Sequence, residues 1–236
     1  MLTIKNLTKT YGAVKAVDDL SLTIEDGDIF GFIGHNGAGK TTTIKAVVGI
    51  HDFDRGEILI NGSSVRSDPM ACKKQTAYIP DNPDLYEFLS GIKYLNFVAD
   101  IFDMSRAERR ERIERYAAEL ELGKELAAPI SSYSHGMKQK LAIIGALIHE
   151  PRLLVLDEPF VGLDPRAAFA LKEIFRQMTA GGASIFFSTH GLDAAQKLCN
   201  KIAIIKSGQL LEAGDTDEII GKKSLEDVFL ELTEDE

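Results

Sequence analysis

The chain has 236 residues, 44% hydrophobic and 27% charged, a balance that fits one large globular domain or one domain with an inserted lobe. Its net charge of −9 argues against a broad nucleic-acid-binding surface, and no apolar run approaches the roughly 18 residues that a membrane-spanning helix needs. The N-terminus, Met1-Leu2-Thr3-Ile4-Lys5, lacks a signal-peptide plan, and Cys72 and Cys199 lie far apart with no metal spacing, so a reduced, cytosolic setting is expected. Any membrane role is expected to come through a partner.

Residues 2–65 alternate short strand-like runs with turns. Leu20-Ser21-Leu22-Thr23-Ile24 has period two, and Asp26-Gly27 then predicts a turn. Ile29-Phe30-Gly31-Phe32-Ile33 reads as a buried strand. It feeds Gly34-His35-Asn36-Gly37-Ala38-Gly39-Lys40-Thr41, which fits G-x-x-x-x-G-K-[ST]. In such a loop the glycines let successive backbone N–H groups approach phosphate oxygens without a clashing Cβ. A lysine reaches the β and γ phosphates, and a hydroxyl ligates Mg²⁺. Thr41–Val48 predicts a helix with Gly49 just past its end, so the phosphates would sit at a positive helix terminus. Glu57 to Ile60 followed by Asn61-Gly62 predicts half of a hairpin.

From about Asn82 the pattern becomes helical. Ser105 is the expected N-cap of a helix with Glu108 completing a capping box, and Ile113, Tyr116, Ala117 and Leu120 share its apolar face. The Arg/Glu run from Arg106 to Arg115 reads mostly as a solvated face. The last third returns to α/β. Leu153-Leu154-Val155-Leu156 and Ser184-Ile185-Phe186-Phe187 are short and apolar all round, as buried parallel strands are. Between them Asp164-Pro165 predicts the start of a helix that Gly181-Gly182 ends. One α/β domain is thus interrupted by a helical lobe.

Asp157 and Glu158 follow an apolar strand, and the carboxyl ends of parallel strands are where such folds bind ligands. Asp157 suits a Mg²⁺ site, reached through water, and Glu158 suits a general base toward an attacking water. Two acids after a strand are common; paired with the phosphate loop they point to nucleotide hydrolysis.

Three further runs form a family resemblance. Ser134-His135-Gly136-Met137-Lys138-Gln139 resembles the signature sequence of ABC ATPases, Gly162-Leu163-Asp164 resembles their D-loop, and Ser188-Thr189-His190 their H-loop. Tyr11 falls where the family has an aromatic residue that stacks on adenine. The resemblance covers Leu2 to Leu232. It implies a P-loop NTPase core with a mixed, largely parallel sheet, an N-terminal antiparallel β subdomain and an inserted helical subdomain. The chain would be a single cassette, 1–236, with core segments 1–81 and 150–236 around a helical segment 82–149. Two cassettes would pair head to tail, as homodimer or heterodimer. Each ATP would touch Tyr11, Gly34, His35, Asn36, Gly37, Ala38, Gly39, Lys40, Thr41 and Thr42 of one chain and Ser134 and Gly136 of the other. Catalysis would fall to Glu158, His190 and Lys40, with Mg²⁺ on Thr41 and Asp157.

Two departures stand out. The first glycine of the signature is His135, which adds a donor or a charge. The family's glutamine after a Tyr-hydrophobic-Pro run is here Asp81, after Tyr78-Ile79-Pro80. Asp81 is carried over as a third metal-side residue, with a plain turn role, helped by Asn82-Pro83, as the alternative. Tyr86 and Phe88 fall where related transporters receive a short helix of the membrane subunit; filling the core of the lobe is the other reading. Signature, Asp81 and the tail Ser224 to Leu232 look most like the drug, antibiotic or ion exporters. The resemblance therefore implies an ATP-hydrolysing subunit on the inner face of the cell membrane, bound to a permease, with no span of its own and no nucleic-acid partner. Rival readings are a soluble ABC ATPase of DNA repair or translation and a non-catalytic ATP-sensing module. No Asn-Lys-x-Asp motif supports a GTPase.

Overall fold

The computed structural model describes residues 1–233; the expected cassette range 1–236 therefore ends three residues outside the described ones. Strands β1 (Leu2–Tyr11) and β2 (Val14–Ile24) pair antiparallel, and β3 (Ile29–Ile33) leads into the phosphate loop and α1 (Lys40–Val47). Strands β4 (Arg55–Ile60) and β5 (Ser63–Ser64) form the expected hairpin. Its turn residues Asn61 and Gly62 both have positive φ, 48° and 79°, as a tight two-residue connection requires. Helix α2 (Pro69–Lys74) and β6 (Thr76–Ile79) complete the first part.

The helical segment holds α3 (Gly91–Ile101), α4 (Arg106–Glu119), a single 3₁₀ turn (Ile130–Ser132) and α5 (His135–Leu147). Strand β7 (Leu153–Asp157), α6 (Pro165–Ala180), β8 (Ser184–Thr189) and α7 (Leu192–Leu198) follow. The chain then forms the hairpin β9 (Lys201–Lys206) and β10 (Gln209–Asp215), ending in α8 (Thr216–Ile220) and α9 (Leu225–Thr233).

Two sheets result. The antiparallel one runs β2-β1-β4-β5; the other runs β10-β9-β3-β8-β7-β6, parallel from β9 to β6, with β10 antiparallel at its edge. Its central strands alternate between two cores. Phe30, Phe32, Val155, Phe186 and Ile205 face α1 and the antiparallel sheet. Ile29, Ile33, Leu154, Leu156, Phe187 and Ile204 face the helices. Strands β3, β7 and β8 are buried throughout, so their central residues read as apolar runs, with the buried polar residues Asp157, Ser184, Ser188 and Thr189 at the strand ends. The helical lobe continues the second core through Leu95, Ile113, Tyr116 and Leu141.

The local signals behave as expected. Helix α1 starts one residue earlier than predicted, and Gly49 is left-handed at φ 69°. Ser105 and Glu108 exchange both bonds of a capping box, and Ile113, Tyr116, Ala117 and Leu120 are all buried. The Arg/Glu run departs in part from a solvated face. Arg109 reaches Asp100 at 2.6 Å, Arg112 the Ile148 carbonyl at 2.9 Å and Arg115 the Gln177 side chain of α6 at 3.0 Å, so three of its arginines tie α4 to its neighbours.

Candidate functional site

The phosphate loop connects the carboxyl end of β3 to α1. Gly39, the N-cap of α1, has φ 108°, and a Cβ there would lie 2.3 Å from the Ala16 carbonyl oxygen, so only glycine fits. Helix α1 has no side-chain cap and no acidic residue in its first turn. Its first N–H groups and its positive end are therefore left for an anion. His35, Asn36 and Gly37 form the exposed crest of the loop; Gly34, Ala38 and Gly39 are buried beneath it, and Thr42 is half-buried.

Lys40 is only 6% exposed, and its ammonium donates to the Gly34 carbonyl at 2.6 Å and the His35 carbonyl at 3.2 Å. Burial pushes its pKa down, while the Glu158 and Asp157 carboxylates pull it up. Asp157 ends β7 and is 3% exposed. Its two oxygens are both engaged: Oδ2 accepts from the Thr41 hydroxyl at 2.6 Å and Oδ1 from the Ser188 hydroxyl. Loop, strand β7 and strand β8 thus meet on one carboxylate.

Glu158 sits one residue further, with φ 50°, an uncommon conformation for a non-glycine residue and one that clusters at functional sites. Its N–H donates to the Ser188 carbonyl at 3.1 Å. Its carboxylate lies 2.8 Å from His190 Nδ1 at the end of β8.

Ser134 caps α5 by accepting from the Met137 N–H at 3.3 Å. The first turn of α5 packs on the loop before α6. A Cβ on Gly136 would lie 2.8 Å from the Gly162 carbonyl, and one on Gly162 (φ 79°) 2.5 Å from the His135 ring. His135 thus lies over Gly162 of its own chain. Lys140, buried on α5, pairs at 2.9 Å with Asp164, the N-cap of α6, and holds that carboxyl below its usual range.

Tyr11 is half-exposed and edge-on to His51, with the Lys9 ammonium 5.1 Å from its ring. Asp81 is exposed, and its Oδ1 accepts from the Asn82 N–H at 2.8 Å. That single bond is compatible with both readings of Asp81. Tyr86 and Phe88 are 51% and 83% exposed rather than part of the lobe's core; with Tyr94 and half-exposed Phe97 they form an aromatic cluster, the Tyr86 and Phe97 rings 5.7 Å apart.

A family model described as ABC transporter matches residues 17–161, more than half of the chain. The chain belongs to the ABC transporter family. Members of this family hydrolyse ATP, and their ATP-binding subunits work with membrane permease components. The ABC-type transporter ATP-binding protein EcsA of Bacillus subtilis is 37% identical over 241 residues, covering 100% of this chain and 98% of EcsA. The linearmycin resistance ATP-binding protein LnrL of the same organism is 29% identical, covering 99% of this chain and 75% of LnrL. A solved structure described as the ATP-binding subunit of an ABC transporter is 37% identical, with a TM-score of 0.95 and 99% of each chain covered. This ABC chain accordingly carries the expected α/β architecture.

Of the residues singled out from the sequence, Lys40, Thr41, Asp157, Glu158 and His190 converge at one edge of the mixed sheet. Ser134 and Gly136 sit together at the start of α5. Two contacts beside these residues were not anticipated from the sequence. Ser188, read only as part of the H-loop, holds Asp157, a bond that follows from its pairing with Asp157 across β7 and β8. Phe229 packs on His35 from the far end of the chain.

Proposed function

We propose that this chain is the catalytic ATPase subunit of an ABC exporter, acting in a head-to-tail pair of cassettes at the inner face of the cell membrane. The observation that carries this is the joining of the phosphate loop to the strand-end acids: Thr41 to Asp157 at 2.6 Å, and Glu158 to His190 at 2.8 Å beside it.

In this reading ATP lies along the loop, with its β and γ phosphates on the N–H groups of Gly37 to Thr42 and on the Lys40 ammonium. Tyr11 offers its ring to adenine. Ser134 and Gly136 of the second cassette close the site from the other side. No cluster of three His, Cys, Asp or Glu side chains fit to hold a metal occurs among the described residues. The hydroxyl of Thr41 and the carboxylate of Asp157 are hard oxygen donors in contact, which fits Mg²⁺ completed by phosphate and water. Such an ion would neutralise phosphate charge during transfer. Glu158 takes a proton from the water that attacks the γ-phosphorus as the bond to ADP breaks, and His190 holds the Glu158 carboxylate in place.

The segment 82–149 serves as the helical subdomain, and the exposed aromatics at Tyr86, Phe88 and Phe97 as the seat of a permease helix. No described helix is long and apolar enough to cross a membrane, which fits attachment through that permease. Export is supported by the LnrL likeness and by the signature and tail.

Replacing Glu158 with Gln tests the reading. The variant should bind ATP with Mg²⁺ like the original chain, hydrolyse it about 10²–10⁴-fold more slowly, and accumulate as an ATP-bound dimer in size-exclusion runs. Hydrolysis at the original rate would overturn the role of Glu158.

A further inference from the structure

We propose that helix α9 braces the phosphate loop, and that Phe229 is a positioning residue for ATP binding that acts through His35. The His35 ring packs against Phe229 with centroids 4.8 Å apart and planes at 66°, an edge-to-face pair between the loop crest and the last described helix. Phe229 is 6% exposed and belongs to the helix-side core, so its ring is a fixed surface. His35 is exposed and has no other aromatic partner among the described residues.

His35 is also where the loop's internal bonds meet. Its carbonyl accepts from the Ala38 N–H at 3.1 Å and from the Lys40 ammonium at 3.2 Å. Holding its ring therefore holds the carbonyl that shapes the turn and positions Lys40.

Helix α9 is itself tied at both ends to elements of the site. The Leu225 N–H donates to Gln196 of α7 at 2.9 Å, and α7 begins two residues after His190. Lys206, at the end of β9, donates to the Thr233 carbonyl at 3.0 Å. The helix spans from the histidine side of the site to the strand beside β3, and Phe229 presses on the loop between these ties.

The proposal rests on the reading of the loop as the ATP site. The test titrates the purified full chain with ADP and follows ATP hydrolysis in Phe229→Leu, Phe229→Tyr, His35→Ala and the His35→Ala/Phe229→Leu pair. Phe229→Leu should weaken ADP binding about three- to tenfold and raise the KM for ATP by a similar factor, because the edge-to-face pair is lost. Its kcat should stay within about twofold. Phe229→Tyr keeps the ring and should bind like the original. His35→Ala should weaken binding by a similar factor without lowering the melting temperature, and the pair should bind no worse than the weaker single variant. A folded Phe229→Leu chain with unchanged affinity, equal losses in Phe229→Tyr and Phe229→Leu, or losses that multiply in the pair would overturn the proposal. Should Phe229→Leu not fold, a His35→Ala chain that binds ADP like the original overturns it alone. An original chain that binds neither ADP nor ATP would instead overturn the functional reading.

Discussion

At the scale of single residues, the site is organised by what its charged groups hold. Lys40 is bonded to two carbonyls of its own loop and, in the proposed binding mode, exchanges these for phosphate oxygens. Lys40→Ala removes a charge-assisted donor worth about 1.5–3 kcal/mol, so ATP affinity should fall roughly 10- to 100-fold in a chain that still melts cooperatively. Titration of the folded variant checks this. Asp81 is the opposite case. Its position after Tyr78-Ile79-Pro80 predicts a metal-side carboxylate, but one of its oxygens holds the Asn82 N–H and the residue is exposed. Asp81→Ala should shift the Mg²⁺ concentration for half-maximal hydrolysis by less than about twofold, whereas Asp157→Asn, which takes the charge from the buried carboxylate proposed to face Mg²⁺, should raise it about tenfold or more. A large shift in Asp81→Ala would return Asp81 to the metal shell.

At the scale of elements, the start of α5 and the start of α6 behave as one joint, with His135 over Gly162 and Lys140 on Asp164. Gly162→Ala places a methyl into the His135 ring and a side chain at φ 79°. It should lower the melting temperature by about 2–4 °C per kcal/mol of strain and reduce hydrolysis further than that loss explains. Adding His135→Ala should recover part of the activity, because it removes the clash but not the backbone strain; no recovery would show that the ring is irrelevant. The elements themselves were largely legible. The capping box at Ser105, the Asp164-Pro165 start and the apolar runs of β3, β7 and β8 depend on neighbours in sequence, and they stand where local chemistry put them. The acids at the end of β7 were likewise legible, because the strand's length fixes its carboxyl edge. What the sequence concealed depends on distant pairing. The register shifts of β1, the left-handed backbone of Glu158, the Arg112 tie to Ile148 and the His35–Phe229 contact each arise only once separate segments meet.

At the scale of the whole molecule, stability should depend on mild acid through His149. Its ring stacks on Phe102 at 3.7 Å, and burial pushes its pKa down to about 4, opposed in part by the Thr76 backbone and helped by Arg112. Above about pH 6.5 the residue is neutral in folded and unfolded chains alike, so it costs nothing there. As pH falls from about 6.5 to 4 the unfolded chain takes up a proton that the folded chain refuses, and stability drops by about 3 kcal/mol, levelling off below pH 4. His149→Phe should remove this part of the slope; urea midpoints of both chains between pH 7 and 4 measure it, and parallel curves would exclude the effect. The mixed sheet has a further consequence for which changes the chain tolerates. Because its central strands send alternate residues into two different cores, gaining or losing a single residue inside β3, β7 or β8 would swap every side chain beyond that point from one core to the other. Substitution there is a local event, whereas a change of length miswires both halves of the protein at once. Insertions and deletions should therefore be tolerated only in the connecting segments, and these strands act as a fixed ruler against which the rest of the chain can grow or shrink.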